Sequence, residues 1–172
     1  MKKKYLVIIY SIAIFIFFVL YLSLGKNKVY STQDNIGKKI PEIRLNYFDK
    51  DGYFDTKEIS NSKFTLLNFW ASWCGPCRKE HKHLMELSVN SKLKIIGVNF
   101  KDEKKNAIKF LSEMGNPFSI LTTDFDGKKS VNFGIYGIPE TILINEDLKI
   151  LKKYVGPIDT KDVREIKKII NK

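Results

Sequence analysis

Twenty consecutive residues near the start of the chain, Tyr5 to Leu24, contain no charged side chain and no proline. An α-helix rises 1.5 Å per residue, so this run would extend about 30 Å, the thickness of a bilayer's hydrocarbon core. No polar stripe interrupts it, which argues against a helix packed along one face in a soluble core. A cleaved signal peptide would have a shorter apolar region, roughly 7–15 residues, and a small-x-small cleavage site. Ser23-Leu24-Gly25 is the candidate for such a site. Length favours the uncleaved signal anchor. Met1-Lys2-Lys3-Lys4 ahead of the run favours a cytoplasmic N-terminus and an exported remainder, although Lys26 and Lys28 follow it. No cysteine lies near its end, so a lipid anchor has no attachment point.

The expected organisation is therefore a basic cytoplasmic stub over 1–4, a transmembrane span over 5–24, a polar tether over 25–39 and one folded domain over 40–172. Fifteen tether residues reach at most about 50 Å when extended. Beyond Gly25 the chain still carries a net charge of +8, from 27 Lys and Arg against 19 Asp and Glu. These cations are scattered, with no basic cluster and no aromatic-basic platform, so nucleic acid is not an expected partner. Weak attraction to the anionic membrane surface suits them better.

Within the domain, Ile43, Leu45 and Tyr47 alternate with polar residues, and Asp49-Lys50-Asp51-Gly52 supplies a hairpin turn. Phe64 to Trp70 is a continuous apolar run, the pattern of a central strand covered on both faces. A helix follows from Cys74 to about Val89, with Leu84, Leu87 and Met85 as inward candidates. Leu93 to Phe100 repeats the buried-strand pattern. Lys104 to Met114 reads as a helix with Ile108 and Leu111 on its inner face, ended by Gly115-Asn116-Pro117. Phe118 to Thr122 suggests a short strand, followed by a turn at Asp126-Gly127 and a short helical stretch. Ile142 to Ile144 and Ile150 to Val155 read as paired strands. Asp159-Thr160 opens a last amphipathic helix carrying Val163, Ile166, Ile169 and Ile170. This order predicts an α/β fold: a mixed central sheet with helices on both faces, an N-terminal hairpin and a short central insert.

The chain has two cysteines, Cys74 and Cys77. A small exported domain stapled by disulfides would carry more, spread along the sequence, so this pair is a candidate for chemistry. Thiol–disulfide exchange needs a thiolate and a nearby second thiol. At a strand-to-helix junction, unpaired backbone N–H groups and the helix dipole stabilise a negative sulfur at Cys74. Two intervening residues bring Cys77 within disulfide reach, and Pro76 lacks only an N–H that had no intrahelical partner. The competing reading is half of a zinc site. Zinc takes four ligands, and the remaining soft candidates are His81 and His83 on the same helix, which cannot close a tetrahedron with the cysteines. Both histidines are expected at solvated positions, and no metal or cofactor is implied.

Trp70-Ala71-Ser72-Trp73-Cys74-Gly75-Pro76-Cys77 resembles the thioredoxin active-site signature, and Gly137-Ile138-Pro139 just before a strand resembles its cis-proline loop. Cys77-Arg78-Lys79-Glu80-His81, Gly97-Val98-Asn99-Phe100-Lys101-Asp102 and Phe133 to Thr141 are similar to the membrane-anchored periplasmic thioredoxins of cytochrome c maturation, the DsbE or CcmG group. The resemblance runs from about Ile36 to the C-terminus. It implies a thioredoxin fold and a reductant on the periplasmic side of the bacterial inner membrane. The implied substrate is the haem-attachment Cys-x-x-Cys-His segment of apocytochrome c. Implied partners are other cytochrome c maturation proteins and a membrane thiol donor of the DsbD or CcdA kind.

On the same resemblance Cys74 attacks, Cys77 resolves, Pro139 is the cis-proline and Trp73 flanks the dithiol. Glu80, Tyr136 and Glu140 fall on the group's acidic active-site positions. Asn68 stands where general thioredoxins keep a buried carboxylate, which leaves Glu80 or Glu140 to accept the Cys77 proton. The alternatives are an anchored reductase of the TlpA or ResA kind, acting on other extracytoplasmic thiols such as copper-site cysteines, and a redox-inert binding adaptor.

Overall fold

The computed structural model describes residues 2–24 and 35–171, which fall into two units. The first is helix α1 (Lys2–Leu24). Its stretch Lys3–Leu22 has a mean hydropathy of 2.7 with none of it buried, long and apolar enough to cross a membrane.

The domain runs through β1 (Arg44–Tyr47), β2 (Tyr53–Asp55), a 3-10 helix (Thr56–Asn61), β3 (Phe64–Trp70), α2 (Gly75–Ser88), β4 (Leu93–Phe100) and α3 (Lys104–Met114). It continues with β5 (Ile120–Asp124), α4 (Lys128–Asn132), β6 (Glu140–Asn145), β7 (Ile150–Val155) and α5 (Thr160–Ile170). The strands form a seven-stranded sheet in the order β2-β1-β5-β4-β3-β6-β7. β3, β4 and β5 are mutually parallel and the remaining pairings are antiparallel. β5 lies two residues later than the sequence pattern suggests. Placed between β4 and β1, it ties the N-terminal hairpin into the main sheet.

All seven residues of β3 are buried, the polar Thr65 and Asn68 among them, as a strand covered on both faces requires. Side chains alternate between the faces. Phe64, Leu66 and Trp70 join Leu84, Leu87, Ala107, Phe110, Val163 and Ile166 in one core, roofed by α2, α3 and α5. Leu67 and Phe69 join Ile96, Val98, Ile142 and Ile144 in the other, closed by Phe54, Ile59, Phe133 and Ile135. Gly97 lies opposite Asn68 in the parallel register, and the Phe118 ring occupies the space where a Cβ would sit.

Two expectations fail on helix faces. Ile108 is 51% exposed, and α3 instead buries Ala107 and Phe110. Those two residues lie about 100° and about 160° around the helix from Ile108, and the Phe110 ring is 5.1 Å from Trp70. His81 is not solvated: it is 2% exposed, on the inner stripe of α2 with Cys77, Leu84 and Leu87. Part of the expected tether is hydrogen-bonded to the domain. The Gly37 N–H donates to Ile150 O at 2.8 Å, and Lys39 bridges Lys149. Residues 25–34, which hold the rest of that tether, lie outside the described residues.

Candidate functional site

β3 ends at Trp70 and α2 begins at Gly75, so Cys74 is the N-cap of α2 with extended backbone angles of φ −85° and ψ 107°. Its Sγ accepts the Cys77 N–H at 3.1 Å, in the place an N-cap oxygen would take. Pro76 lies in the first turn, where a helix tolerates the loss of a backbone donor. The cysteines are joined as a disulfide with Cα atoms 5.3 Å apart. They are only 4% and 2% exposed.

One turn along α2, Glu80 is buried on the same face as Cys77; residues three apart are neighbours on a helix surface. Glu80 Oε1 accepts from Asn68 Nδ2 at 2.9 Å and Oε2 accepts from the Ile158 N–H at 2.8 Å. The other Asn68 amino hydrogen is donated to Thr141 Oγ1 at 2.9 Å. Among the described residues, its hydrogen-bond partners are all neutral. Burial dominates and pushes Glu80 up to about 7, against the two hydrogen bonds that favour its charged form. Asn68 is thus a neutral partner on β3 for a carboxyl group carried on α2.

Glu140 has different surroundings. At the start of β6, opposite Phe69, its Oε1 accepts the Tyr136 and Gly137 N–H groups at 3.0 and 3.1 Å. Its Oε2 lies 2.7 Å from Lys153 Nζ, with both side chains almost wholly buried. Lys153 also donates to the Gly134 carbonyl at 2.6 Å. The Glu140–Lys153 pair thus ties down the loop from Gly134 to Gly137. The Ile138–Pro139 bond in that loop is cis, and Ile138 packs against the core cluster containing Cys74 and Cys77. Tyr136 projects from the loop, 72% exposed. Asn68, Glu80, Cys74 and Cys77 thus form one buried group, while Glu140, Tyr136 and Pro139 belong to the facing loop.

Trp73 is 60% exposed, and its indole N–H donates to the Lys101 carbonyl at 3.0 Å. His81 Nε2 lies 3.0 Å from the Gly115 carbonyl oxygen, so that nitrogen carries the donated proton. Burial holds His81 below its usual range. Among the described residues, no group of three His, Cys, Asp or Glu side chains is placed to hold a metal ion.

Two residues of this arrangement have no role in the sequence reading. Lys153 leaves one signal, its place beside Lys152 inside the β7 strand pattern. Thr141 lies at the end of the Phe133 to Thr141 motif, but its importance comes from the β3–β6 register that sets it opposite Asn68.

The Redoxin family profile matches residues 35–170. Over 165 residues the chain is 36% identical to the thiol:disulfide interchange protein DsbE of Escherichia coli (strain K12), covering 92% of this chain and 89% of that one. The thiol:disulfide interchange protein HelX of Rhodobacter capsulatus is 39% identical over 127 residues, 74% of this chain and 71% of its own. A crystal structure from Chlorobium tepidum, described as a DsbE-type thiol:disulfide interchange protein, matches with a TM-score of 0.68 at 27% identity. It covers 79% of this chain and 95% of its own. With a cysteine pair closed at the head of α2 in a fold of this kind, the chain belongs to the Redoxin family and, within it, to the DsbE group of thiol:disulfide interchange proteins, as a protein-disulfide oxidoreductase.

Proposed function

We propose that this protein is a membrane-tethered reductant of cytochrome c biogenesis, with α1 as its anchor and its domain on the periplasmic side of the inner membrane. Its substrate in this reading is the haem-attachment Cys-x-x-Cys-His disulfide of apocytochrome c, or a mixed disulfide of that segment. A membrane thiol donor of the DsbD or CcdA kind returns it to the dithiol. The observation that carries the reading is the buried Glu80 on the same helix face as Cys77, hydrogen-bonded among the described residues only to neutral donors. This is the acid-bearing arrangement expected of the DsbE group, in place of a carboxylate on β3.

In the reduced protein, the Cys74 thiolate attacks one sulfur of the substrate disulfide. A Cys74–substrate disulfide forms, and the other substrate sulfur leaves as a thiolate that takes up a proton. Cys77 then gives its proton to the Glu80 carboxylate and attacks Cys74 Sγ. The substrate's second sulfur leaves as a thiolate and takes up a proton, and the Cys74–Cys77 disulfide forms. Two electrons pass to the substrate, which ends as a dithiol. A group titrating near 7 can take up this proton and release it again at neutral pH. Glu140 acts at one remove, holding the cis-proline loop whose Ile138 backbone is available to pair with an extended substrate.

Replacing Cys77 with Ser removes the resolving thiol and should trap substrates as mixed disulfides on Cys74, identifiable by mass spectrometry. Capture of apocytochrome c or its haem-ligation partners is the expected result. Recovery of copper-assembly proteins alone would overturn this reading in favour of a TlpA-like role. Failure to trap anything, with no dithiol titration, would point to the adaptor.

A further inference from the structure

The turn from Asn99 to Asp102 takes no part in the exchange steps above, yet it holds the loop that delivers Cys74. Asp102 is 7% exposed, and four donors converge on its carboxylate. Oδ2 accepts the Ser72 N–H at 2.6 Å and Asn99 Nδ2 at 2.9 Å. Oδ1 accepts the Ser72 hydroxyl at 2.8 Å and the Glu103 N–H at 2.9 Å. Both carboxylate oxygens act as acceptors in this cluster, two donors to each. Next along the loop, Trp73 leaves most of its ring in solvent and is held at its polar edge by the Lys101 carbonyl. Lys101 has a φ of +45°, which few side-chain-bearing residues adopt, and its N–H donates to Asp124 O at 3.1 Å. The β4–α3 turn thus grips the active-site loop at two adjacent residues, thirty positions away in sequence for Ser72.

We propose that Asp102 is a positioning residue for exchange with polypeptide substrates. By fixing Ser72 it keeps the exposed Trp73 ring as a pre-ordered platform beside Cys74, against which an extended chain can dock. An aromatic ring already held in place contributes contact area on binding without the entropy loss of being ordered then. A small disulfide that reaches Cys74 without touching Trp73 gains nothing from the clamp. This inference rests on Cys74 being the attacking thiol, but not on which protein it serves.

The test is Asp102→Ala in the full-length protein in detergent micelles, with dithiothreitol as terminal reductant. Two substrates are compared: a synthetic peptide closed by a Cys-x-x-Cys disulfide, and hydroxyethyl disulfide. The peptide KM should rise roughly three- to tenfold, the range set by ordering one large side chain at binding. Its kcat and the hydroxyethyl disulfide rate should stay within about twofold of wild type, because the clamp acts on docking and not on the reacting sulfurs. Asp124→Ala is the control. Asp124 is also buried, accepting the Ser130 N–H at 2.7 Å and hydroxyl at 2.6 Å, but none of its side-chain bonds reaches the Cys74 loop. It should lower thermal stability and leave the peptide KM unchanged. Equal loss of stability in both variants with no change in either KM would overturn the proposal. If Asp102→Ala does not fold, Ser72→Ala removes one arm of the clamp and must raise the peptide KM selectively; an unchanged KM there also overturns it. A wild-type protein inactive on both disulfides would refute the exchange reading itself, and this inference with it.

Discussion

Replacing Glu80 with Gln should change how stability depends on pH. In the folded, oxidised protein burial moves Glu80 from 4.5 to about 7. Between these values the folded state holds a proton that the unfolded chain has released, so wild-type stability falls as pH rises through the window and levels off above it. Each pH unit costs at most about 1.4 kcal/mol, so the whole window is worth roughly 3 kcal/mol. Gln fits the site without this titration. Its oxygen can accept from the Ile158 N–H, and its amino group can donate to Asn68 Oδ1, which now has no hydrogen-bond partner, once that amide turns over. The assay is urea unfolding of the oxidised wild-type and Glu80→Gln proteins from pH 4.5 to 8.5. The quantity read is wild-type stability minus variant stability. His81 contributes with the opposite sign: burial holds it below 6.5, so its share of stability rises with pH up to that value. Both proteins carry His81, and its contribution cancels in the difference. The difference should fall by about 3 kcal/mol across the window. A difference that stays flat with pH would refute the assignment of a buried, titrating carboxyl at position 80. In turnover, the same variant should slow escape from the mixed disulfide by on the order of a hundredfold.

Lys153→Met removes the cation from a buried pair and leaves the Glu140 charge with only its backbone donors, which should cost about 3–5 kcal/mol in denaturant unfolding. The double variant with Glu140→Gln should recover much of that loss. Gly97→Ala would set a methyl group 2.7 Å from Cγ and Cδ1 of Phe118, a clash costing about 1–3 kcal/mol. Phe118 is stacked on Trp70 at 5.3 Å, so the same change should perturb tryptophan fluorescence. In an NMR titration the His81 ring should show a midpoint below 6.5.

Local signals were legible wherever the physics is local. The apolar run of β3 and the Cys74–Pro76 start of α2 depend on neighbours in sequence, and α2 was read to within one residue at each end. Helix faces were harder. Ile108 and Ala107 differ by one position, and composition favoured Ile108, but the ring of Phe110 is what fills the space over Trp70. His81 shares the inward stripe of Cys77 and Leu84, so its burial could have been read from spacing alone. What makes that burial tolerable could not, since it is the Gly115 carbonyl, 34 residues away. The same separation hid Asp102 from Ser72 and Ile158 from Glu80.

The two candidate acids show most plainly what only tertiary structure could decide. In sequence, Glu80 and Glu140 are equivalent choices for taking the Cys77 proton. In the fold, Glu140 is answered by a buried lysine and two backbone donors, all of which hold it to the loop it organises. Those contacts give Glu140 a structural task in that loop. Among the described residues no cation pairs with Glu80, and its hydrogen bonds come from an amide side chain and a backbone N–H that tolerate either state. It also lies one helical turn from the sulfur that must be deprotonated. A carboxyl group that exchanges protons with a thiol needs proximity and the absence of a fixed counter-charge. Glu80 has both, so the mechanism proposed above routes the proton along α2 and not across the cis-proline loop.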